Sequence, residues 1–205
     1  MARPAGLILD YGNVLTRPQD QTWMESAAEG LGASVPAFRS AYWRSRHDYD
    51  ADLPARQYWR RVIAASRATG DPVLSEPDLR RLIAADLDSW VDYHDGVWGL
   101  AAEFRRAGGR AALLSKSGPE VMARLRADHA LDARFDAVVI SCEVGLAKPD
   151  PRIYRLCLER LGLPPQEALF VDDRLDHIEA AALVGLRTVQ FEGADALDRL
   201  RARIR

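Results

Sequence analysis

Three apolar runs in this chain each close on a reactive polar side chain: Leu7-Ile8-Leu9-Asp10, Ala112-Leu113-Leu114-Ser115 and Leu169-Phe170-Val171-Asp172-Asp173. Short runs without polar alternation are the pattern of strands buried on both faces, as in parallel sheets. Open parallel sheets bind their ligands beyond the carboxyl ends of the strands. The runs therefore predict a sheet edge at which three carboxylates and a hydroxyl meet. Carboxylates gathered in one place repel unless a cation or a lysine joins them.

The segments between these runs supply the rest of the architecture. Residues 5–10 read as the first strand, followed by a turn at Asp10-Tyr11-Gly12-Asn13. From about Asp20 to Trp90 the pattern is helical and rich in aromatics, with Trp23, Phe38, Tyr42, Trp43, Tyr58 and Trp59. Pro36 and Pro54 suit first helical turns, Gly32 and Gly70 suit helix stops, and Ser75 suits an N-cap, giving about four helices. Asp92 to Gly96 reads as a return linker. Helix 96–107, strand 110–115, helix 118–128, strand 136–141, helix 151–161, strand 167–172, helix 174–184, strand 187–191 and a terminal helix follow. Ser117 and Glu120 have the spacing of a capping box, and Asp150-Pro151 that of a helix start. The expected fold class is α/β: a Rossmann-like parallel sheet core with helices on both faces, plus an inserted helical subdomain. The core takes residues 1–17 and 92–205, and the insertion takes 18–91.

A chain of 205 residues is long enough for one core and an insertion. Its net charge of −2 gives no reason to expect a nucleic-acid or membrane partner. No run approaches the roughly 18 apolar residues of a membrane span, and no signal-like segment opens the sequence. Cys142 and Cys157 lack metal-like spacing, so a reduced, cytoplasmic setting is expected. Among the 28 basic residues only Lys116 and Lys148 are lysines. Coding bias towards arginine explains most of this, yet a compact ammonium cannot always be replaced by a planar guanidinium. Both lysines lie just past strand-like runs, at the expected ligand edge.

Taken in order, these elements resemble the haloacid dehalogenase superfamily of aspartate-nucleophile hydrolases. Leu7 to Thr16 matches its first motif, Ser115 its second, Gly145-Leu146-Ala147-Lys148-Pro149-Asp150 its third, and Phe170-Val171-Asp172-Asp173 its fourth. The helical insertion looks like the cap domain of that superfamily. The resemblance implies a Mg²⁺-dependent phosphatase in which Asp10 attacks phosphorus and forms an aspartyl-phosphate. It implies a metal site from Asp10, the Gly12 carbonyl and Asp173, with Asp172 as further ligand or supporting group. Ser115 would donate to a phosphoryl oxygen, and Lys148 would pair with Asp10 and the phosphoryl group. The partner is then a small phosphorylated metabolite; the sequence is silent on oligomeric state.

Three positions depart from the superfamily pattern. Gly12 stands where most of its phosphatases carry the Asp that protonates the leaving group. A similar Asp-x-Gly-Asn pattern occurs in bacterial glucose-1-phosphatases of the superfamily, and a sugar-1-phosphate needs the acid less. Lys116 replaces the usual Asn and could contact a substrate phosphate or carboxylate, or point away. His177 replaces Asn or Asp and suits a hydrogen-bonding role on the metal loop, since hard cations favour oxygen. Tyr42, Trp43, Arg46 and His47 are candidate substrate-lining residues. Core packing for the aromatics, and solvated surface for Arg46 and His47, is the simpler alternative for any one of them. Two other functions fit the pattern: a metal-free 2-haloacid dehalogenase, against which the Asp172-Asp173 pair argues, and a catalytically weak binding protein, which Gly12 favours.

Overall fold

A computed structural model describes residues 2–51, 53–67 and 75–205. Five parallel strands form one sheet: β1 (Gly6–Leu9), β2 (Arg110–Ser115), β3 (Ala137–Ile140), β4 (Ala168–Asp172) and β5 (Arg187–Gln190), in the spatial order β3-β2-β1-β4-β5. The fully buried strand β1 is central, with Leu9 level with Leu113 on one side and Val171 on the other. Alternate side chains then divide the core. Leu7, Leu9, Leu113, Leu169 and Val171 face one layer, packed with Val97, Phe104, Met122 and Leu200. Ile8, Ala112, Leu114 and Phe170 face the other, packed with Ile153, Tyr154, Cys157 and Ile178. Each fully buried aliphatic side chain contributes about 1.5–3 kcal/mol. Both faces are covered, which is why the strands carry no polar alternation.

The covering helices are α5 (Asp95–Arg106), α6 (Pro119–His129) and α11 (Ala196–Ile204) on the first face, and α9 (Pro151–Leu161) and α10 (Leu175–Val184) on the second. Between α6 and β3 lies α7 (Leu131–Arg134), and after β3 comes α8 (Ser141–Val144); neither short helix was expected. Asp150 caps α9 by accepting from the Arg152 N–H, and Gly162 ends it at φ +64. The Ser117–Glu120 capping box is not formed. Gly118 is the N-cap of α6 and makes no side-chain bond there. Ser117 and Glu120 have other partners: the Ser115 hydroxyl at 2.7 Å and the Tyr49 hydroxyl at 2.7 Å.

The insertion holds α1 (Trp23–Gly30), α2 (Val35–Ala51), α3 (Ala55–Ser66) and α4 (Glu76–Asp88). Ser75 caps α4, its hydroxyl accepting from the Asp78 N–H, and Gly32 takes φ +64 just past α1. Gly70 lies outside the described residues. The four helices have their own core, built on Met24, Phe38, Tyr42, Tyr58, Trp59 and Ile63. Chain enters and leaves this layer side by side. Arg17 N–H donates to the Asp92 carbonyl (2.7 Å), His94 N–H donates to the Leu15 carbonyl (2.9 Å), and Thr16 bridges Tyr93 antiparallel. No described helix is long and apolar enough to cross a membrane.

Candidate active site

Asp10 follows the last residue of the central strand, so it stands in the middle of the carboxyl edge, flanked by the ends of β2 and β4. Its Oδ1 accepts from the Tyr11 N–H at 2.7 Å and from Lys148 Nζ at 2.7 Å. Oδ2 takes no hydrogen bond among the described residues. Lys148 has no exposed surface, and its ammonium also donates to Asp172 Oδ2 at 2.5 Å. The other Asp172 oxygen accepts from the Arg174 N–H (2.9 Å) and lies 3.0 Å from His177 Nδ1. Asp172 is thus occupied on both oxygens. Asp173 turns the other way, accepting from Asn13 Nδ2 at 2.7 Å. Asn13 adopts φ +59, a left-handed conformation that Asn tolerates better than most side chains.

Electrostatics set the character of this edge. Burial, then the charge of Asp172, pushes the Asp10 carboxyl up to about 8 against the pull of Lys148. Burial raises Asp173 as well, partly offset by its bond from Asn13. Asp172 is buried too, but Lys148 and His177 hold it well below the ordinary carboxylate range. Lys148 holds its proton more tightly than a free lysine, because Asp10 and Asp172 outweigh its desolvation. Burial lowers His177. Three carboxylates thus face one ammonium, and further positive charge would relieve the two that are raised.

A cavity of about 480 Å³ opens from this edge. Its floor includes Asp10, Gly12, Asn13, Asp173 and His177; its walls include Lys116, Ser117 and Arg174 from the sheet edge. Trp43, Arg46, His47 and Asp50 from α2, with Trp90, close the other side. Most of the residues singled out in the sequence therefore meet here: Asp10, Gly12, Trp43, Arg46, His47, Lys116, Asp173 and His177. Tyr42 does not border the cavity; it is buried in the helical core. Ser115 is buried against Ser117, and Ser117 is the serine that borders the cavity.

Arg46 is neither solvated nor free. It is 7% exposed, with Nε donating to Asp50 (2.9 Å) and Nη1 to both Asp86 oxygens (3.0 Å). Asn13, Asp50, Ser117, Arg174 and Trp90 were not expected at the site. Asn13 had a signal, since it shares the turn with Asp10. Trp90 and Asp50 had none, because only tertiary packing brings them to the edge.

The fold is a Rossmann-like α/β one with an aspartate–lysine centre at the middle of the sheet edge. The chain belongs to the haloacid dehalogenase-like hydrolase family, which it matches over residues 5–185. It is 35% identical over 130 residues to protein CbbY of Cereibacter sphaeroides, covering 57% of this chain and 56% of that one. It is 39% identical over 89 residues to the phosphoserine phosphatase of Thermus thermophilus, covering 43% of this chain and 36% of that one. The chain spans little more than half the length of the curated relatives it matches, and often far less. In fold it is similar to a HAD-family enzyme of Bacteroides thetaiotaomicron in complex with magnesium and inorganic phosphate. That likeness has a TM-score of 0.69 at 18% identity, over 92% of this chain and 94% of that one.

Proposed function

We propose that this hydrolase is a Mg²⁺-dependent phosphatase of small phosphorylated metabolites, working through an aspartyl-phosphate on Asp10. The observation that carries this reading is the carboxylate excess around Asp10 at the floor of a cavity of about 480 Å³. The donor set suits Mg²⁺, which takes hard oxygen ligands. Asp10, Asp173 and the Gly12 carbonyl would hold it, and it would neutralise charge on the phosphoryl group. Asp172 is the supporting member, since both its oxygens are already bound within the protein. Similarity to the phosphoserine phosphatase and to the phosphate-bound fold neighbour supports the same chemistry.

The protein's own groups divide the work. Lys148 fixes the Asp10 carboxylate and offsets its repulsion from the incoming phosphoryl group. The Ser115–Ser117 hydroxyl pair offers a donor to a phosphoryl oxygen. Asp10 attacks phosphorus in line, the ester P–O bond breaks, and water later releases phosphate from Asp10. Residues 18–91 act as the cap: α2 and Trp90 exclude water and contribute Trp43 and Arg46 to the substrate side. A sugar-1-phosphate, with its comparatively good leaving group, suits Gly12.

Purified protein with Mg²⁺ should hydrolyse 4-nitrophenyl phosphate and members of a metabolite panel. Asp10→Asn should abolish this, and EDTA should stop it reversibly. Asp173→Ala should raise the Mg²⁺ concentration needed for half-maximal activity by at least tenfold. A chain inert to every phosphate ester, or one indifferent to EDTA while releasing halide from a 2-haloacid, overturns the reading.

A further inference from the structure

We infer that His47, backed by Lys116, is the acid–base group of this site, doing the work that position 12 cannot. This rests on the phosphatase reading above. Gly12 has φ −63 and ψ 133, a conformation open to any residue, so its backbone does not require glycine. What crowds a side chain there is Trp90: a Cβ on Gly12 would lie 3.2 Å from the indole Cζ3. Trp90 is pinned in place through both side chain and backbone. Its Nε1 donates to Asp86 (3.2 Å), its carbonyl accepts from the Tyr11 hydroxyl (2.7 Å), and the Arg46 guanidinium lies 5.5 Å from its ring centroid. A side chain two residues after the nucleophile would therefore have to push this indole aside by a few tenths of an ångström.

In-line attack puts the leaving oxygen on the side of phosphorus opposite Asp10. Asp10 is on the cavity floor, so that oxygen faces α2 and the segment after β2. Arg46 cannot give up a proton. Asp50 faces the Arg46 guanidinium, which binds its Oδ1 and favours its ionised form, and His177, in the floor, is tied to Asp172. What remains is His47, whose Nδ1 lies 2.8 Å from Lys116 Nζ across the gap between insertion and sheet. The ammonium donates to Nδ1, which leaves the ring proton on Nε2, with no partner among the described residues. Lys116 is half-buried, and desolvation loosens its hold on the proton. An arginine could make the contact but could not pass a proton; this is one of two positions in the chain that keep lysine.

The proton count closes. As the ester P–O bond breaks, the leaving oxygen takes its electron pair and the proton from His47 Nε2. Lys116 passes a proton to Nδ1 and becomes a neutral amine. In the second half, water bonds to phosphorus, its proton goes to Nε2, and the Nδ1 proton returns to Lys116. The P–O bond to Asp10 breaks, and Asp10 leaves as carboxylate.

Leaving-group dependence tests this directly. The wild type, His47→Gln and Lys116→Arg are compared on 4-nitrophenyl phosphate, whose leaving group needs no proton, and on an alkyl phosphate such as glycerol 2-phosphate. Both variants should lose ~10²–10³-fold in kcat/KM on the alkyl ester and less than about tenfold on the aryl ester. Aryl turnover also reports that the variants are folded. For Lys116→Arg the alkyl kcat/KM should in addition lose its alkaline fall. The charged groups facing Lys116 are His47 and Asp50 from α2, Arg174 and Asp176 after β4, and Lys148 below. Equal losses on both esters, or an unchanged alkaline limb, overturn the inference alone. A wild type that hydrolyses neither ester overturns the phosphatase reading and this with it.

Discussion

Lys148 sits between Asp10 and Asp172 with no surface in water, and its ammonium reaches both. A buried charge survives only when its pairing is nearly complete. A guanidinium is wider and planar, so at this point it must displace close-packed neighbours, Phe170 among them, whose ring lies 5.5 Å away. Lys148→Arg should therefore cost about 1–3 kcal/mol, read as a lower thermal midpoint, and should reduce turnover with Mg²⁺ present. Wild-type stability and rate in that variant would show that the space is looser than its burial implies. This residue was legible in the sequence because lysine is scarce and the position follows a strand run. Arg46 was not: its partner Asp86 is forty positions away, and helical periodicity does not say which charged side chain turns inward.

At the scale of elements, the strands were the readable part and their junctions were not. Continuous apolar runs declare burial on both faces, whereas α7 and α8 are four residues each and have no periodicity to show. The Ser117–Glu120 spacing misled because tertiary partners, Ser115 and Tyr49, outcompeted a local cap. Asp136, just before β3, shows how one side chain joins elements. It takes two bonds from Arg105 of α5 (3.0 and 2.8 Å) and one from the Ala111 N–H of β2 (2.8 Å). Burial raises its carboxyl, but these bonds outweigh burial and hold it below the ordinary value. A depressed carboxyl stabilises the fold above the unfolded-state pKa of about 3.9 and loses that contribution as pH falls through the folded-state value. Asp136→Asn should therefore cost about 1–2 kcal/mol at neutral pH, shrinking below about pH 4. Chemical denaturation at a series of pH values measures this, and a pH-independent difference would contradict it.

Across the whole molecule, the buried members of the three hydrophobic clusters come from separate stretches of chain. The two on the sheet draw their buried members from residues 7–15 and 97–204, and the third draws its members from residues 24–82. The layers meet through Leu87 and Trp90, which pack on the sheet core, and through polar links: His47 with Lys116, Tyr49 with Glu120, and the Ser141 hydroxyl donating to the Asp50 carbonyl at 2.6 Å. Replacing residues 18–91 by a short Gly/Ser linker should leave a cooperatively folded sheet that has lost activity on alkyl esters. Circular dichroism and thermal unfolding decide this; a broad, uncooperative transition would show that the layers fold only together. The insertion itself was visible in the sequence as a change of periodicity. The order β3-β2-β1-β4-β5 was not, since no apolar run names its neighbour.

The side-by-side crossing at Leu15–Arg17 and Asp92–His94 has a consequence for how such a chain can change over generations. Departure and return share one rung of a two-stranded ladder, with backbones about 5 Å apart. Any replacement bundle whose ends meet at that spacing can be spliced in without shifting the register beneath. The candidate groups on the sheet would stay put while the roof above them is exchanged, and under the proposed function substrate choice would become a transplantable trait.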